Sequence, residues 1–540
     1  MAKEGFYLFE DVYKAGNGKH KYPAIHFKGV DYSYEEIRQS VDYLCRQLTK
    51  MGVKKDDHVA LLSLNGYNWL IAYFAIIKVG AVAVLLNYTG RHNTLVDALR
   101  STDCHYLCAG RYSAFIKDET EFPRLQKDAE IPPERTLLID EGNLDFKEIL
   151  PKTKVEPFVS PYPRKQDSKR ASFIIFTTGT SAKPKACMLS QYGLMNLIYI
   201  NLCRLDPVFP RKFMCLLPLF HSFGLLVTIG YLAYKRTVYL SALDDKREIY
   251  REFTKNKCGD YAGIAIVFDK LARAPLWWLH RGRFVKHCIL GGGFTSEYEM
   301  AFLERKYGKN KFLNGYGQTE CSPLISLVYP DAPKEKQRTT VGTPMEGIEL
   351  AFMDPNTKEM LPAGEKGEIL VKGYNVFNGY YNLPKDSQPF DENGYLHTGD
   401  LGYLDKDGYL VLTGRIKDII IRKGENISPK EIEAEFRKFP EFGNVRVLGF
   451  PSPDEGEYII ACVELLKKPP HFSEKKYFEE LRKTLPSVKI PTHIIYMKRF
   501  PLSANGKIDE VVLREVCMRK MAVFLDDKPL AMRTRKLMNR

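Results

Sequence analysis

Ser172-Phe-Ile-Ile-Phe-Thr177-Thr178-Gly179-Thr180-Ser181-Ala182-Lys183-Pro184-Lys185 passes from an apolar run into hydroxyls, one glycine and two lysines. The apolar run reads as a buried strand. Gly179 lets the backbone turn and approach an anion closely. Thr177, Thr178, Thr180 and Ser181 offer hydroxyl donors beside bare backbone N–H groups. Lys185 adds a charge beyond a proline that stiffens the exit. These are the parts of a phosphate-gripping loop. The spacing is not the P-loop G-x-x-x-x-G-K-[ST], and Ala186–Leu189 reads as a second strand where a P-loop would open a helix. A polar surface hairpin fits the same residues, so chemistry alone leaves both readings open.

Working outward, 540 residues exceed one compact core, which predicts two or more domains. With 44% hydrophobic and 27% charged residues the composition is that of a globular, soluble chain. A net charge of +14 suits anionic ligands or an acidic membrane surface. The basic residues are spread out, without zinc-finger spacing or an aromatic RNA-binding signature, which argues against nucleic acid. Eleven cysteines stand singly and no C-x-x-C occurs, so buried, reduced thiols are expected. The opening Met-Ala-Lys-Glu-Gly carries no apolar signal core, and a cytoplasmic chain is expected. Met214–Leu226 is broken by Pro218 and His221 and reads as a buried segment, not a span. The C-terminal Met538-Asn-Arg540 is not a peroxisomal signal.

The first third alternates helix and strand patterns. Ser33–Met51 predicts a helix stopped by Gly52, His58–Leu64 a strand, Trp69–Val79 a helix closed by Gly80, and Ala81–Leu86 a strand. Repeated β-α-β-α favours an α/β sheet with helices on its faces. Gln126–Val159 is charged and proline-bearing and reads as an irregular surface connection. A boundary falls near Gly414. Short strands are expected at Tyr409–Leu412 and Ile419–Ile421. Ser428-Pro-Lys-Glu431 then opens a helix, with serine as N-cap, proline first and glutamate closing a capping box. The fold class expected is thus α/β: a large N-terminal domain over residues 1–414 and a small α+β domain over 415–540. The basic segment Met518–Arg540 reads as a solvated tail, with a peripheral lipid contact as the lesser alternative.

Four further segments carry chemistry: Leu217-Pro-Leu-Phe-His221; Asn314-Gly315-Tyr316-Gly317-Gln-Thr319-Glu320; Tyr395-Leu-His-Thr-Gly-Asp400 with Gly414-Arg415-Ile-Lys417-Asp418; and Pro501-Leu-Ser-Ala-Asn-Gly-Lys507. Thr319 and Glu320, placed after a Gly-Tyr-Gly turn, pair a hydroxyl with a carboxylate, a partner for Mg²⁺ and a phosphate oxygen. A surface acid on a loop fits equally. Asp400 after a Thr-Gly turn could accept both hydroxyls of a ribose or simply close an Asx-turn. Lys507 follows the tight-turn pair Asn505-Gly506 and is a solvated charge or a charge donor to an anion. His221 beside apolar residues is a core histidine or a substrate contact. Gly291-Gly292-Gly293 ends a strand, Cys288–Leu290, either as a turn or as space for a ligand.

Together with the first loop, and in this order, these segments resemble the adenylate-forming superfamily of acyl-CoA synthetases, firefly luciferase and peptide-synthetase adenylation domains. The resemblance runs from Tyr34 to about Leu513 and implies a large multi-sheet N-terminal domain beside a small mobile C-terminal one. It implies ATP, Mg²⁺ and coenzyme A as cofactors. It makes Thr177–Ser181 and Lys185 the phosphate loop, Tyr316 the adenine stack, Thr319 the α-phosphate contact and Glu320 the magnesium ligand. Asn314, Gly315 and Gly317 belong to the same nucleotide-binding motif. Asp400 anchors the ribose with Arg415 as companion, itself bonding ribose or phosphate, and His221 borders the acyl carboxylate. Gly291–Gly293 leave room for adenine and acyl group. Lys507 bridges carboxylate and phosphates, Lys417 is the hinge of a mobile small domain, and the Lys423-Gly424-Glu-Asn426 turn faces the thiol. Two family glycines are alanines here, Ala182 and Ala186.

The implied activity is an AMP-forming acid–thiol ligase. Gly291–Gly293 and Tyr316–Ser326 look most like bacterial fatty acyl-CoA ligases, which implies a medium- or long-chain acid. An aryl acid, or loading of a separate acyl carrier protein, remains an alternative. So does a non-catalytic acyl- or nucleotide-binding relative, although the full set Thr319, Glu320, Asp400, Arg415 and Lys507 argues against it.

Overall fold

The computed structural model describes residues 4–13, 22–110, 121–140, 142, 144–161, 165–177, 184–202, 205, 212–243, 246–273, 284–292, 295, 297–309, 311–452, 454–466, 473–502 and 508–524. Two compact units emerge from the chain. The first comprises Met1–Thr295, Glu299–Leu350 and Leu370–His397; the second comprises Ser296–Tyr298, Ala351–Ile369 and Thr398–Arg540.

In the first unit the early periodicity resolves as expected. Ser33 caps the helix Tyr34–Lys50, and its capping box with Glu36 is complete. The helix buries Ile37, Val41, Leu44 and Leu48, one face at helical spacing. The helix Tyr67–Lys78 is buried all round, which fits its nearly unbroken apolar sequence. Strands His58–Leu62, Val82–Leu85 and Ala171–Thr177 run parallel side by side. Lys185–Ser190 returns antiparallel to Ala171–Thr177 at one edge of the six-stranded sheet. At the other edge lies Thr136–Leu138, paired in parallel with Tyr106–Ala109. This corrects the reading of Gln126–Val159 as irregular. Besides that strand, the segment carries the helix Phe146–Lys152 and the end of the helix Glu121–Asp128. The strand is only three residues long, too short to stand out from its charged and proline-bearing surroundings.

A nine-stranded sheet completes the first unit's framework. Its central strands Thr237–Leu240, Lys212–Cys215, Asp260–Gly263, His287–Leu290 and Phe312–Tyr316 are parallel. Met214–Leu226 is buried as expected, apart from the part-buried Pro218 and His221, and runs from the strand Lys212–Cys215 through a connecting loop into the helix Ser222–Ala233. No helix among the described residues is long and apolar enough to cross a membrane. The ten described cysteines are free and buried.

Phe442–Ser452, Gly456–Leu465, Ile420–Arg422, Glu425–Ile427 and His493–Met497 form the second unit's own sheet. Gly456–Leu465 shows period-2 partition: Ile459, Ala461 and Val463 join one core, with Ile432 and Phe436. Ile460 and Cys462 join another, with Leu513 and Cys517. Ser428 does cap the helix Pro429–Phe436 in position, but its hydroxyl donates to the Thr413 carbonyl at 2.8 Å, and the capping box does not form. The helix Glu510–Phe524 extends through residues read as tail, because Leu513, Cys517 and Met521 give it a buried face. A five-stranded sheet in the order Met360–Leu361, Ile348–Met353, Gly367–Gly373, Leu396–Leu404, Leu410–Arg415 ends in the hairpin that carries Asp400 and Arg415.

Candidate active site

Thr177 and Lys185 are register partners at the open end of the hairpin Ala171–Thr177/Lys185–Ser190. The loop residues Thr178, Gly179, Thr180 and Ser181 lie outside the described residues. Strand pairing therefore holds the two ends of the loop side by side, and both the phosphate-loop and hairpin descriptions fit.

From this hairpin a chain of contacts leads to Glu320. Lys185 places its ammonium 4.8 Å from the ring centroid of Tyr380. Tyr380 donates its hydroxyl to Glu320 Oε1 at 2.7 Å. The backbone N–H of Phe377 donates to the Glu320 carbonyl at 2.9 Å. Burial, followed by the Glu320 charge, pushes the Tyr380 phenol far above its usual value, so it stays a donor. The same two causes raise the Cys187 thiol, which lies 3.7 Å from Thr177 Oγ1. Glu320 is 8% exposed. Its carboxylate is a hard oxygen donor held from one side by a phenol. A single carboxylate plus substrate phosphates is a common way to hold Mg²⁺, which keeps its waters and takes few protein ligands. Among the described residues no cluster of three metal-ligating side chains exists.

Thr319 and Glu320 sit in a tight turn, Thr319–Cys321, at the end of the strand Phe312–Tyr316. The expected Gly-Tyr-Gly turn is corrected by this: Gly315 and Tyr316 are strand residues, and the chain turns only after Gly317. A Cβ on Gly317 would lie 2.0 Å from the Pro323 carbonyl oxygen, which no side chain tolerates. Tyr316 is 7% exposed, and Asn314 donates to the Thr340 carbonyl at 3.4 Å. Asn314 Oδ1 is buried without a hydrogen-bond partner.

His221 is the N-cap residue of the helix Ser222–Ala233, its ring 4.4 Å from that of Phe220. The next residue, Ser222, donates to Thr319 Oγ1 at 3.4 Å, which ties this helix start to the Thr319–Glu320 turn. Gly291 follows the strand His287–Leu290, and a Cβ there would lie 2.8 Å from the Phe223 ring. The missing side chain is thus filled by Phe223. Gly292 is exposed with φ +79°, and Gly293 lies outside the described residues.

The second unit holds Asp400 opposite Arg415 across the hairpin Leu396–Leu404/Leu410–Arg415. Arg415 Nε meets Asp400 Oδ1 at 2.6 Å; Asp400 is buried and the arginine side chain is half exposed. Asp400 is a strand residue, which sets aside the alternative of an Asx-turn, and its N–H donates to Thr398 Oγ1 at 3.1 Å. Lys423 and Gly424 form the two-residue turn between Ile420–Arg422 and Glu425–Ile427, both at positive φ (53° and 80°). That geometry demands glycine or a tolerant residue, and a Cβ on Gly424 would meet nothing within 4 Å. Lys423 pairs with Glu455 at 3.0 Å. Lys417 is exposed in the short turn Ile416–Asp418. Lys507 lies outside the described residues.

Sequence reasoning missed Tyr380, Phe377 and Cys187. Cys187 follows the quoted loop by two residues and could have been noticed. Tyr380, in Gly379-Tyr-Tyr-Asn382, gave no sign of a carboxylate partner 60 residues away.

The sequence profile of the AMP-binding enzyme family matches residues 12–381, and that of the AMP-binding enzyme C-terminal domain matches residues 431–507. The chain is 29% identical to a putative acyl-CoA synthetase, YngI, of Bacillus subtilis, over 90% of this chain and 92% of that protein. It is 28% identical to the medium-chain fatty-acid–CoA ligase of Escherichia coli, over 91% of this chain and 87% of that protein. Among solved structures, ATP-bound MatB from Rhodopseudomonas palustris superposes with a TM-score of 0.82 at 23% identity, covering 94% of this chain and 98% of that one.

Proposed function

This chain belongs to the AMP-binding enzyme family, and on that premise we propose that it is an ATP-dependent acyl-CoA ligase acting on a medium- or long-chain fatty acid. A carboxylate attacks the α-phosphate of ATP, giving acyl-AMP and pyrophosphate. The thiol of coenzyme A then displaces AMP and leaves a thioester. The observation that supports this reading most is the Lys185–Tyr380–Glu320 chain, which sets a cation and a carboxylate at one hairpin end.

In this proposal Lys185 and the Thr177–Ser181 loop hold the phosphates, and Thr319 bonds the α-phosphate. Glu320 holds Mg²⁺, which would neutralise charge between the phosphates. Tyr316 and the Asn314–Gly317 strand end receive adenine. His221 and the Gly291–Gly293 segment border the acid. Asp400 accepts the ribose hydroxyls with Arg415 oriented beside it, and Lys507 supplies charge where it develops in the first step. Lys423 and Gly424 face the thiol. The domain boundary near residue 414 and the hinge at Lys417 belong to the same proposal. No side-chain nucleophile is needed; positioning and charge stabilisation supply the rate.

Relatives whose names include medium-chain acyl-CoA ligases favour the fatty acid. The experiment is pyrophosphate release with straight-chain acids from acetate upward, beside benzoate, cinnamate and free amino acids, with and without coenzyme A. Each methylene that fits should contribute about 0.8 kcal/mol, so kcat/KM should climb about fourfold per carbon until the pocket is full. A flat response, or a clear preference for an aryl or amino acid, overturns the fatty-acid assignment. Pyrophosphate release without thioester formation points to an acceptor other than coenzyme A.

A further inference from the structure

Tyr380 makes two contacts that belong to opposite charges. Its ring face lies under the Lys185 ammonium at 4.8 Å, and its hydroxyl holds Glu320 Oε1 at 2.7 Å. The residue is itself pinned. Its N–H bonds to Gln388 Oε1 at 2.7 Å, and the Gln388 amide returns a bond to its carbonyl at 3.0 Å. Phe377 packs edge-on against it with centroids 4.9 Å apart, and Cys187 bridges it backbone to backbone. It is 8% exposed. A buried tyrosine normally finds one partner for its hydroxyl. This one has found the carboxylate of the Thr319–Glu320 turn, while its ring supports the lysine at the mouth of the Thr177–Lys185 hairpin.

We propose that Tyr380 is a positioning residue: one rigid ring fixes the Glu320 carboxylate for metal and the Lys185 ammonium for phosphate. A carboxylate oxygen carries two lone pairs, so a phenol donor on Oε1 selects one orientation without occupying Oε2. The ring face attracts a cation and restricts its long, flexible stem. Both groups are thereby ordered before nucleotide arrives, and less ordering is left for the bound state to impose. This rests on the proposed function insofar as Glu320 and Lys185 meet Mg²⁺ and ATP.

Two substitutions separate the two contacts. Tyr380→Phe keeps the ring under Lys185 and removes only the hydroxyl. Tyr380→Leu removes both. Binding of ATP is followed by calorimetry at a series of Mg²⁺ concentrations, with no acid or thiol present, and folding is checked by thermal melting. In Tyr380→Phe the Mg²⁺ concentration for half-maximal tightening of ATP binding should rise about tenfold, the scale of a hydrogen bond to a charged group. Its affinity for ATP in the presence of chelator should stay within twofold of the unsubstituted chain. Tyr380→Leu should lose affinity in both conditions. An unchanged Mg²⁺ requirement in Tyr380→Phe overturns the proposal. So does an equal loss of ATP affinity with and without metal in that variant, since a merely structural tyrosine would act that way. A chain that binds Mg·ATP as described but ligates none of the acids tested would overturn the functional proposal and leave this one standing. Absence of Mg²⁺-dependent ATP binding in the unsubstituted chain would overturn both.

Discussion

The two compact units hold their candidate functional residues by different means. In the first, Glu320 is fixed by a tyrosine 60 residues away, and Thr319 by a serine 97 residues away. In the second, Asp400 and Arg415 face each other across a single hairpin, and Lys423 and Gly424 are the hairpin turn itself. Long-range fixation gives a site that is buried and preorganised. Hairpin fixation gives one that is half exposed and defined locally. The first should tolerate few substitutions. The second should lose function one residue at a time, provided its own core stays intact.

That proviso is open to the largest test. Glu433 is buried in the second unit against Lys430 at 3.0 Å, Arg437 at 3.2 Å and Arg446 at 3.6 Å. It also accepts the Val447 N–H at 3.1 Å, which ties the helix Pro429–Phe436 to the strand Phe442–Ser452. Burial alone would raise its carboxyl; Lys430, Arg446 and Arg437 outweigh it, and the net shift is downward. A depressed folded value means that this stabilisation is present above the unfolded carboxylate range and is lost as pH falls through the folded value. Glu433→Ala should destabilise the second unit by about 3–5 kcal/mol, because three cations lose their common partner. Hydrogen exchange in Gly456–Leu465 should accelerate, while exchange in Val82–Leu85 of the first unit should not. Equal acceleration in both would break the contrast, since the units would then unfold as one.

The next effect is kinetic. Lys507→Ala should slow acyl-AMP formation about 100–1,000-fold, the scale of losing one preorganised charge donor. Thioester formation from supplied acyl-AMP should be retained. Single-turnover assays of each half-reaction give the answer, and an equal loss in both would remove the distinction between a lysine serving the first step and a turn serving the second.

These expectations draw on what the sequence made legible. The motif residues were readable because each motif is local: Thr319 and Glu320 are adjacent, and Asp400 and Arg415 lie on consecutive strands. The parallel sheet around His58–Leu62 was readable because its strands are short apolar runs and the helices before and after His58–Leu62 stop at Gly52 and Gly80. What was not readable came from partners distant in sequence. Tyr380 carries no mark of its carboxylate. Ser428 has the pattern of a capping box, yet a carbonyl from Thr413 takes its hydroxyl. Gly315 and Tyr316 have turn composition, yet pairing with Ser326–Leu327 on one side extends them as strand. Thr136–Leu138 is three residues long, too short to read as a strand, and pairs with Tyr106–Ala109. In each case a tertiary partner, not the local pattern, decided the outcome.

Asp400 tests local definition directly. It is buried, and its ladder partners hold the backbone whether or not the carboxylate is present. Asp400→Ala should therefore lower kcat/KM for ATP about 10–100-fold, the scale of charge-assisted hydrogen bonds to the ribose, with little change in melting temperature. The KM for the acid should not move. A matching loss toward the acid, or a clear loss of stability, would mean that Asp400 shapes its unit instead of touching nucleotide.

Arg415→Lys should produce the smallest effect, and its size decides how far the hairpin acts as a pair. Arg415 is 51% exposed and donates Nε to Asp400 Oδ1 at 2.6 Å. Half-exposed ion pairs of this kind contribute about 0–1 kcal/mol, because water competes and the side chain must be ordered. Lysine keeps the charge and loses the planar fork. If Arg415 only orients Asp400, the KM for ATP should rise less than about fivefold, in keeping with that energy. The double substitution with Asp400→Ala should then be no worse than Asp400→Ala alone. If the guanidinium instead bonds ribose or phosphate itself, Arg415→Lys should approach the loss seen with Asp400→Ala, and the two losses should add. Steady-state kinetics on the two single variants and the double variant separate these outcomes. Additive losses would show that two neighbours on one hairpin can each carry a separate contact to the nucleotide.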